Sequence, residues 1–359
     1  MTTGELYIAT GMCLDQPGEE QDYFQVSGLS SSQRFQAIYW KCAIVFFASS
    51  RRNNPQAKHL LFTNAEKIPK IGQLDTEAFL AQMGVQVVKI PFTFCPPLDY
   101  HLNYRTTFFK FDILKYFSQH LQPEDQYSAF DSDCIWIRSA DRMIQSIQEF
   151  GIINYHLDFH RISEIYTFNH STKAEMETIY AAMGLPLQGR IPMHFGAELM
   201  SGNGQALRHF FGELLEVWET SLEFHRLNQP KLNYEEYMLS FVYNKLGVTP
   251  GTANPWLKRI WTSKMFRNSD ITDFQRDVWH LPAEKIHGFK HLFQSVVDPN
   301  SKFWQVDLGD EFAQYIGQYM GVPQPVLAKR TTDFLDRRRG WLAATASVGL
   351  ILGRRGKRA

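Results

Sequence analysis

Cysteine is scarce in this chain. Only four occur in 359 residues, at positions 13, 42, 95 and 134. They form neither a pair with metal-ligand spacing nor a disulfide framework, so a reducing, cytoplasmic setting is expected. An excess of charge of one sign is also missing. The 37 basic and 37 acidic residues balance, which argues against a broad nucleic-acid surface, since that needs a basic excess. No glycine-rich phosphate loop follows the first apolar segment, and no His-Glu-x-x-His stands anywhere. The N-terminus, Met-Thr-Thr-Gly-Glu, has no basic region leading into an apolar run, so no secretion signal is expected. The longest apolar run, residues 42–49, is too short to span a bilayer.

What is present is apolar and aromatic. The chain is 44% hydrophobic, with 28 Phe, 15 Tyr and 8 Trp. That suffices for one large α/β domain with an appendage, and the rings also suit platforms for flat ligands. Residues 5–11, 59–63 and 85–90 read as strands, and residues 31–49 and 75–83 as helices, the second stopped by Gly84. This βαβαβ order predicts parallel strands with helices on both faces. A long aromatic helix is expected over 104–121. It is followed by a buried strand from Tyr127, a helix over 139–150 and a strand over 151–155. The span 1–155 thus reads as a nucleotide-binding half-sheet that lacks the usual phosphate loop, so another device must hold any nucleotide.

The strand from Tyr127 runs into Asp131-Ser132-Asp133. Residues i and i+2 share one face of a strand, so the two carboxylates can converge on one cation. Like charges this close repel unless a positive ligand sits between them, and hard oxygen donors suit Mg²⁺ or Mn²⁺. A second informative stretch runs from Asp277 to His291. Within it His287 can ligate a metal, Lys290 can neutralise a diphosphate, and Gly288 leaves room between them. His280 precedes them. Gly196, in Phe195-Gly196-Ala197-Glu198, can mark a close approach of backbone to ligand. Glu235 and Glu236 open a helix that ends near Leu246. They either complement its terminus or present a carboxylate to a pocket. Residues 256–266 read as a short amphipathic segment.

Taken in order, Arg105 and Lys110, Phe130-Asp131-Ser132-Asp133, Phe195-Gly196-Ala197-Glu198-Leu199, the acidic 233–236 segment and His287-Gly288-Phe289-Lys290 resemble glycosyltransferases of the GT-A fold. The likeness is to the glycogenin and lipopolysaccharide-galactosyltransferase type and covers roughly residues 5–295. It implies a Rossmann-like central mixed sheet flanked by helices, with 1–155 binding the nucleotide and 156–295 the acceptor. A helical extension (296–336) and a basic, apolar tail (337–359) would follow. It implies a nucleotide-diphosphate sugar as donor, a hydroxyl of a glycan, lipid or protein as acceptor, and a bound Mn²⁺ or Mg²⁺. By the same resemblance Asp133 would ligate the metal directly, Asp131 would be shared between metal and ribose, and His287 would be the third ligand. Lys290 would contact the diphosphate, Arg105 and Lys110 the donor sugar or phosphates, and Thr10 and Gly11 the base. The family's C-terminal pattern places Gly later and Pro-Trp after Lys, so His280 stands as the alternative ligand. Glu198, Glu235 and Glu236 are the candidate catalytic carboxylates. A nucleotidyltransferase, or a binding protein that keeps the fold without turnover, are the rival readings. The tail carries about a dozen apolar residues between Arg337-Arg338-Arg339 and Arg354-Arg355, which suits peripheral contact with a membrane.

Overall fold

The computed structural model describes residues 4–336, apart from 22, 24, 102, 158–166, 169–170 and 191. His160, His170 and the tail from residue 337 lie outside the described residues. The first half folds as its apolar pattern predicts: β1 (Leu6–Met12), α1 (Gln33–Asn53), β2 (Lys58–Thr63), α2 (Thr76–Gln82) and β3 (Val85–Lys89) alternate. β1 pairs in parallel with β2, and β2 with β3. β4 (Gln126–Phe130) pairs in parallel with the other edge of β1, setting Ala9 opposite Ala129. After α4 (Asp141–Phe150) and β6 (Ile152–His156), a small pair, β7 (Thr167–Phe168) and β8 (Ser171–Thr172), and α5 (Lys173–Ala182) lead to β9 (Phe195–Asn203), which runs antiparallel to both β4 and β6. The result is a mixed six-stranded sheet in the order β3-β2-β1-β4-β9-β6, flanked by helices in a Rossmann-like arrangement.

Alternation along the strands feeds two cores. Ile8 and Leu61 face Trp40, Phe46 and Phe47 of α1. Their neighbours Ala9, Leu60 and Phe62 face the aromatic helix α3 (Phe109–His120), together with α6 (Gly204–Arg226) and α7 (Glu235–Leu246). The β-branched residues of α1 are compatible with a helix because the helix is buried nearly all round from Cys42 to Ser50. Its start is fixed by Ser32, whose hydroxyl accepts from the Phe35 amide at 3.3 Å. α7 ends at Gly247, which takes the left-handed conformation (φ 61°) that caps a helix without Cβ strain.

Two expectations need correction. Asp131 and Asp133 do not sit on a strand. β4 stops at Phe130, the chain turns through Asp131-Ser132-Asp133, and it resumes as β5 (Cys134–Trp136) in a different sheet. That second sheet has the order β10-β11-β5. Its strand β10 (Leu257–Arg259) replaces the amphipathic segment expected over 256–266, and β11 (Val278–His280) comes from the second informative stretch. Three-residue strands have too few positions to show a period.

Helices α8 (Gly288–Val297), α9 (Lys302–Gln305) and α10 (Asp310–Met320) close the fold, and a further helix covers residues 327–336. Phe289, Phe303, Phe312 and Ile316 join the same core as Trp40 and Phe46. Gly288 therefore serves packing, not a ligand. A Cβ there would stand 2.5 Å from Met320 Sδ and 2.7 Å from the Tyr319 carbonyl oxygen. Gly288→Ala is expected to push α8 off α10 and cost about 1–3 kcal/mol, measured as a lower urea midpoint with unchanged m-value. An unchanged midpoint would show that the two helices give way freely.

Candidate metal centre and its cleft

A cleft of about 490 Å³ opens where the two sheets meet. The Asp131-Ser132-Asp133 turn is pinned from both sides. The Asp131 amide donates to the Glu198 carbonyl of β9 at 3.0 Å, and the Leu281 amide donates to the Asp133 carbonyl at 3.0 Å. In the small sheet, His280 lies opposite Cys134 on one side and Arg259 on the other. One rung of that sheet thus delivers an imidazole and a guanidinium beside the acidic turn.

Asp131, Asp133 and His280 bring one ligand atom each to within 4.8 Å of one another. His280 Nε2 lies 3.3 Å from Asp133 Oδ2 and 3.9 Å from Asp131 Oδ2. Its other nitrogen, Nδ1, lies 3.3 Å from Glu198 Oε1. A carboxylate behind a histidine holds the ring and leaves Nε2 free to face a metal. Glu198 is itself gripped by Arg259, whose Nε and Nη2 donate at 2.8 and 2.5 Å. Both oxygens of the fully buried Glu198 are engaged in this way, so its place is behind His280 rather than against a substrate. Gly196 makes this possible. A Cβ there would lie 1.9 Å from Glu198 Oε2 and 2.8 Å from Arg259 Nη2. It is neither a turn glycine nor a ligand contact; it clears space for an ion pair.

Two lysines complete the acid end. Lys110 Nζ bridges Asp131 at 2.9 Å and Glu235 at 3.1 Å. Lys285 donates to Asp133. Glu236 binds Arg259 at 3.0 Å and approaches His194 at 3.4 Å. Five carboxylates (Asp131, Asp133, Glu198, Glu235 and Glu236) thus face three permanent cations (Lys110, Arg259 and Lys285), all lining one cleft. Two carboxylate oxygens and one imidazole nitrogen form a donor set that Mn²⁺ or Mg²⁺ can use, so the residues fit such an ion.

The electrostatics follow. Burial opposes the charge on Asp133, but Lys285 and His280 outweigh it and hold the carboxyl far below the usual range. Burial would lower His280, yet Asp133 and Glu198 raise it to about 9. Glu236 is drawn down to about 2, because His194 and Arg259 overcome its burial. Glu235 goes the other way: burial dominates and raises it, with Lys110 and Thr107 pulling against that.

No protein-family model matches the chain, and no curated protein matches it.

Other expected residues fall elsewhere. His287 stands at the N-cap position of α8, without a side-chain capping bond, and does not line the cleft; His280 is the histidine that could serve as ligand, because β11 carries it to the acidic turn. Lys290 binds Asp336 at 2.6 Å, away from the cleft. Lys285 stands against Asp133 in its place. It returns there because the short 3₁₀ turn Pro282–Glu284 folds the chain back. Arg105 is buried against the Pro96 carbonyl (2.8 Å) and Cys95 Sγ (2.6 Å) and does not line the cleft. Thr10 is also withdrawn, its hydroxyl donating to the Phe130 carbonyl at 2.8 Å. Gly11 lines the cleft, as do Lys110 and all three candidate glutamates.

Sequence reasoning missed the far end of the cleft. There Tyr23, Phe35, Tyr39 and Tyr104 form a linked aromatic wall with ring centres 5.3–6.2 Å apart. Asp15 sits beside it, buried, with Oδ2 accepting from Ser30 Oγ at 2.5 Å. Its Oδ1 has no hydrogen-bond partner among the described residues. Tyr39 links the two ends, since Lys285 Nζ lies 5.8 Å from its ring centre. The spacing of Tyr23, Phe35 and Tyr39 was a visible signal, but the loop bearing Tyr23 has no periodicity.

Two outcomes are expected. In the metal-free protein the proton on His280 competes with a metal for Nε2. Raised to about 9, the imidazole must lose that proton on binding, so Mn²⁺ affinity should rise with pH. The gain should approach tenfold per unit between about pH 6.5 and about pH 8.5, read by calorimetry; a flat profile would remove His280 from the ligand set. Gly196→Ala should break the buried Glu198–Arg259 pair and cost about 3–5 kcal/mol, measured by chemical denaturation. Wild-type stability would mean that the pair relocates without penalty.

Proposed function

We propose that the protein is a metal-dependent glycosyltransferase of the GT-A fold. It would move a sugar from a nucleoside-diphosphate donor to an acceptor hydroxyl. One observation carries the reading: a single cleft joins a two-carboxylate, one-imidazole cation site, with Lys285 beside it, to an aromatic wall that suits a nucleobase. The mixed sheet, with its acidic turn at the edge of β4, is consistent with the same reading.

In this arrangement the donor's base lies against the Tyr23–Tyr39–Tyr104 wall, and its diphosphate reaches the acidic turn. A bound Mn²⁺ or Mg²⁺ supplies Lewis-acid neutralisation of the leaving diphosphate. Lys285 adds a fixed positive charge there. The bond from the sugar's anomeric carbon to the β-phosphate oxygen breaks, its electron pair leaves with the nucleoside diphosphate, and the acceptor oxygen bonds to that carbon. Glu236, held ionised, faces the positive charge that develops on the ring. Glu235, whose carboxyl burial raises, is the more basic of the two and would take the acceptor's proton. Glu198 and Arg259 position His280 and touch no substrate.

Calorimetry with Mn²⁺ and each common nucleoside diphosphate tests the reading directly. Binding should need the metal, and Asp133→Asn should weaken it at least about a hundredfold, since losing even an outer-shell partner of a metal site costs about 10–100-fold. Metal-independent binding, or none with any nucleotide, would overturn the proposal. Glu235→Gln should keep donor binding and lower kcat by about 10²–10⁴, followed as release of nucleoside diphosphate. Full kcat in that variant would remove Glu235 from the reaction, and absence of release by the wild type would leave a binding protein.

A further inference from the structure

Beside the aromatic wall, at the far end of the cleft, one buried acceptor is left without a donor. Asp15 is 4% exposed and lines the cleft. Its Oδ2 accepts from Ser30 Oγ at 2.5 Å and, at 3.5 Å, from the Tyr23 hydroxyl. Its Oδ1 has no hydrogen-bond partner among the described residues. Buried polar atoms are nearly always paired, and a carboxylate oxygen is among the costliest to leave unpaired. The residue is also held firmly in place. Just before it, the Leu14 amide donates to Asn64 Oδ1 at 2.8 Å, and the Leu14 carbonyl accepts from Asn64 Nδ2 at 3.1 Å. Gln36 Nε2 donates to the Asp15 carbonyl at 3.3 Å. Backbone and carboxylate are thus both fixed, which makes Oδ1 a preorganised acceptor.

Its place along the cleft narrows what the donor can be. Contacts run from Lys285 to the Tyr39 ring, from Tyr39 to Tyr23, and from Tyr23 to Asp15. The carboxylate therefore ends the chain of contacts that begins beside the acidic turn. A ring laid on the wall would bring its edge to Asp15, while its diphosphate reached back to Lys285. Burial raises the Asp15 carboxyl, with Ser30, Arg105 and Tyr23 pulling against that. Two hydroxyls already donate to the group, so its part toward a ligand is that of an acceptor.

We infer that Asp15 selects the nucleotide by its base, taking bases that carry a hydrogen on a ring nitrogen of the pairing edge. Uracil has one at N3 and guanine at N1. Either N–H would donate to Oδ1 while the ring lies against the Tyr23–Tyr39–Tyr104 wall, the combination of stacking and edge reading by which single bases are recognised. Adenine and cytosine present a bare ring nitrogen there, whose lone pair would face that of Oδ1. A site built to meet an N–H rejects the analogue that lacks it, because its own buried group is then left unpaired. The ribose hydroxyls are the other donors a nucleotide offers, but the ribose lies between base and diphosphate, and Asp15 stands at the base end. The inference rests on the reading of this cleft as a nucleotide site.

Calorimetry of the full chain with Mn²⁺ and, in turn, uridine, guanosine, cytidine and adenosine diphosphate tests the selection. The uridine or the guanosine nucleotide, or both, should bind at least about tenfold tighter than the other two, the worth of one hydrogen bond to a charged group. Those two arms also show whether the wall admits a pyrimidine or a purine. Methylating the preferred base at N3 of uracil or N1 of guanine should abolish its advantage in the wild-type protein, a result that needs no variant to fold. Asp15→Asn, whose amide donates as well as accepts, should remove most of the preference. Equal affinity for all four, tighter binding of the cytidine or adenosine nucleotide, or a methylated nucleotide that binds like its parent would overturn the inference. So would a loss in Asp15→Asn shared equally by all four, which would put the carboxylate on the ribose. If metal-dependent binding appears without the preference, base selection falls and the sugar-transfer reading stands. If the preference appears but needs no metal, Asp15 reads the base and the sugar-transfer reading falls. Absence of binding by every nucleotide overturns both.

Discussion

Negative charge is packed around Asp131-Ser132-Asp133 more densely than water-free surroundings tolerate without opposite charge close by. Much of the chain's second half is arranged around that constraint. Arg259 from β10, His280 from β11, Lys285 after its 3₁₀ turn and Lys110 from α3 each come from a different stretch of sequence, and each ends on one of these carboxylates. The turn can collect them because it belongs to neither sheet and is hydrogen-bonded to both. Removing the small sheet would leave the acids with Lys110 alone among these partners. Removing the acids would leave Arg259 and Lys285 buried without counter-charge.

This arrangement also separates roles that one-dimensional reading merges. Glu198, Glu235 and Glu236 look equivalent in the sequence. In space one orients a ring, one is held ionised by His194 and Arg259, and one is shifted toward its neutral form. Environment, rather than residue type, divides their work.

The large sheet was legible because its strands and helices are long enough to show a period and are marked by Ser32, Asp75, Gly84 and Gly247. The acidic pair was legible as a motif. The residues that complete it were not. β10, β5 and β11 are three residues each, and a three-residue strand carries no pattern. The register that sets Arg259, His280 and Cys134 on one rung is a long-range fact. His287 and Lys290 drew attention because they flank a glycine, yet that glycine admits Met320 and the Tyr319 backbone. Gly196 was visible, but its purpose depends on a guanidinium more than sixty positions later. The basic and apolar composition of the tail was visible in the sequence, and the tail lies outside the described residues.

The rung joining Arg259, His280 and Cys134 has a consequence for how the protein must be assembled. His280 ends β11, Lys285 follows it after the 3₁₀ turn, and β11 is bedded on a core that extends to Met320. A nascent chain that has emerged only as far as β9 already holds both aspartates but lacks the third ligand and Lys285. The three side chains that could hold a cation are therefore brought together only when β11 joins the acidic turn.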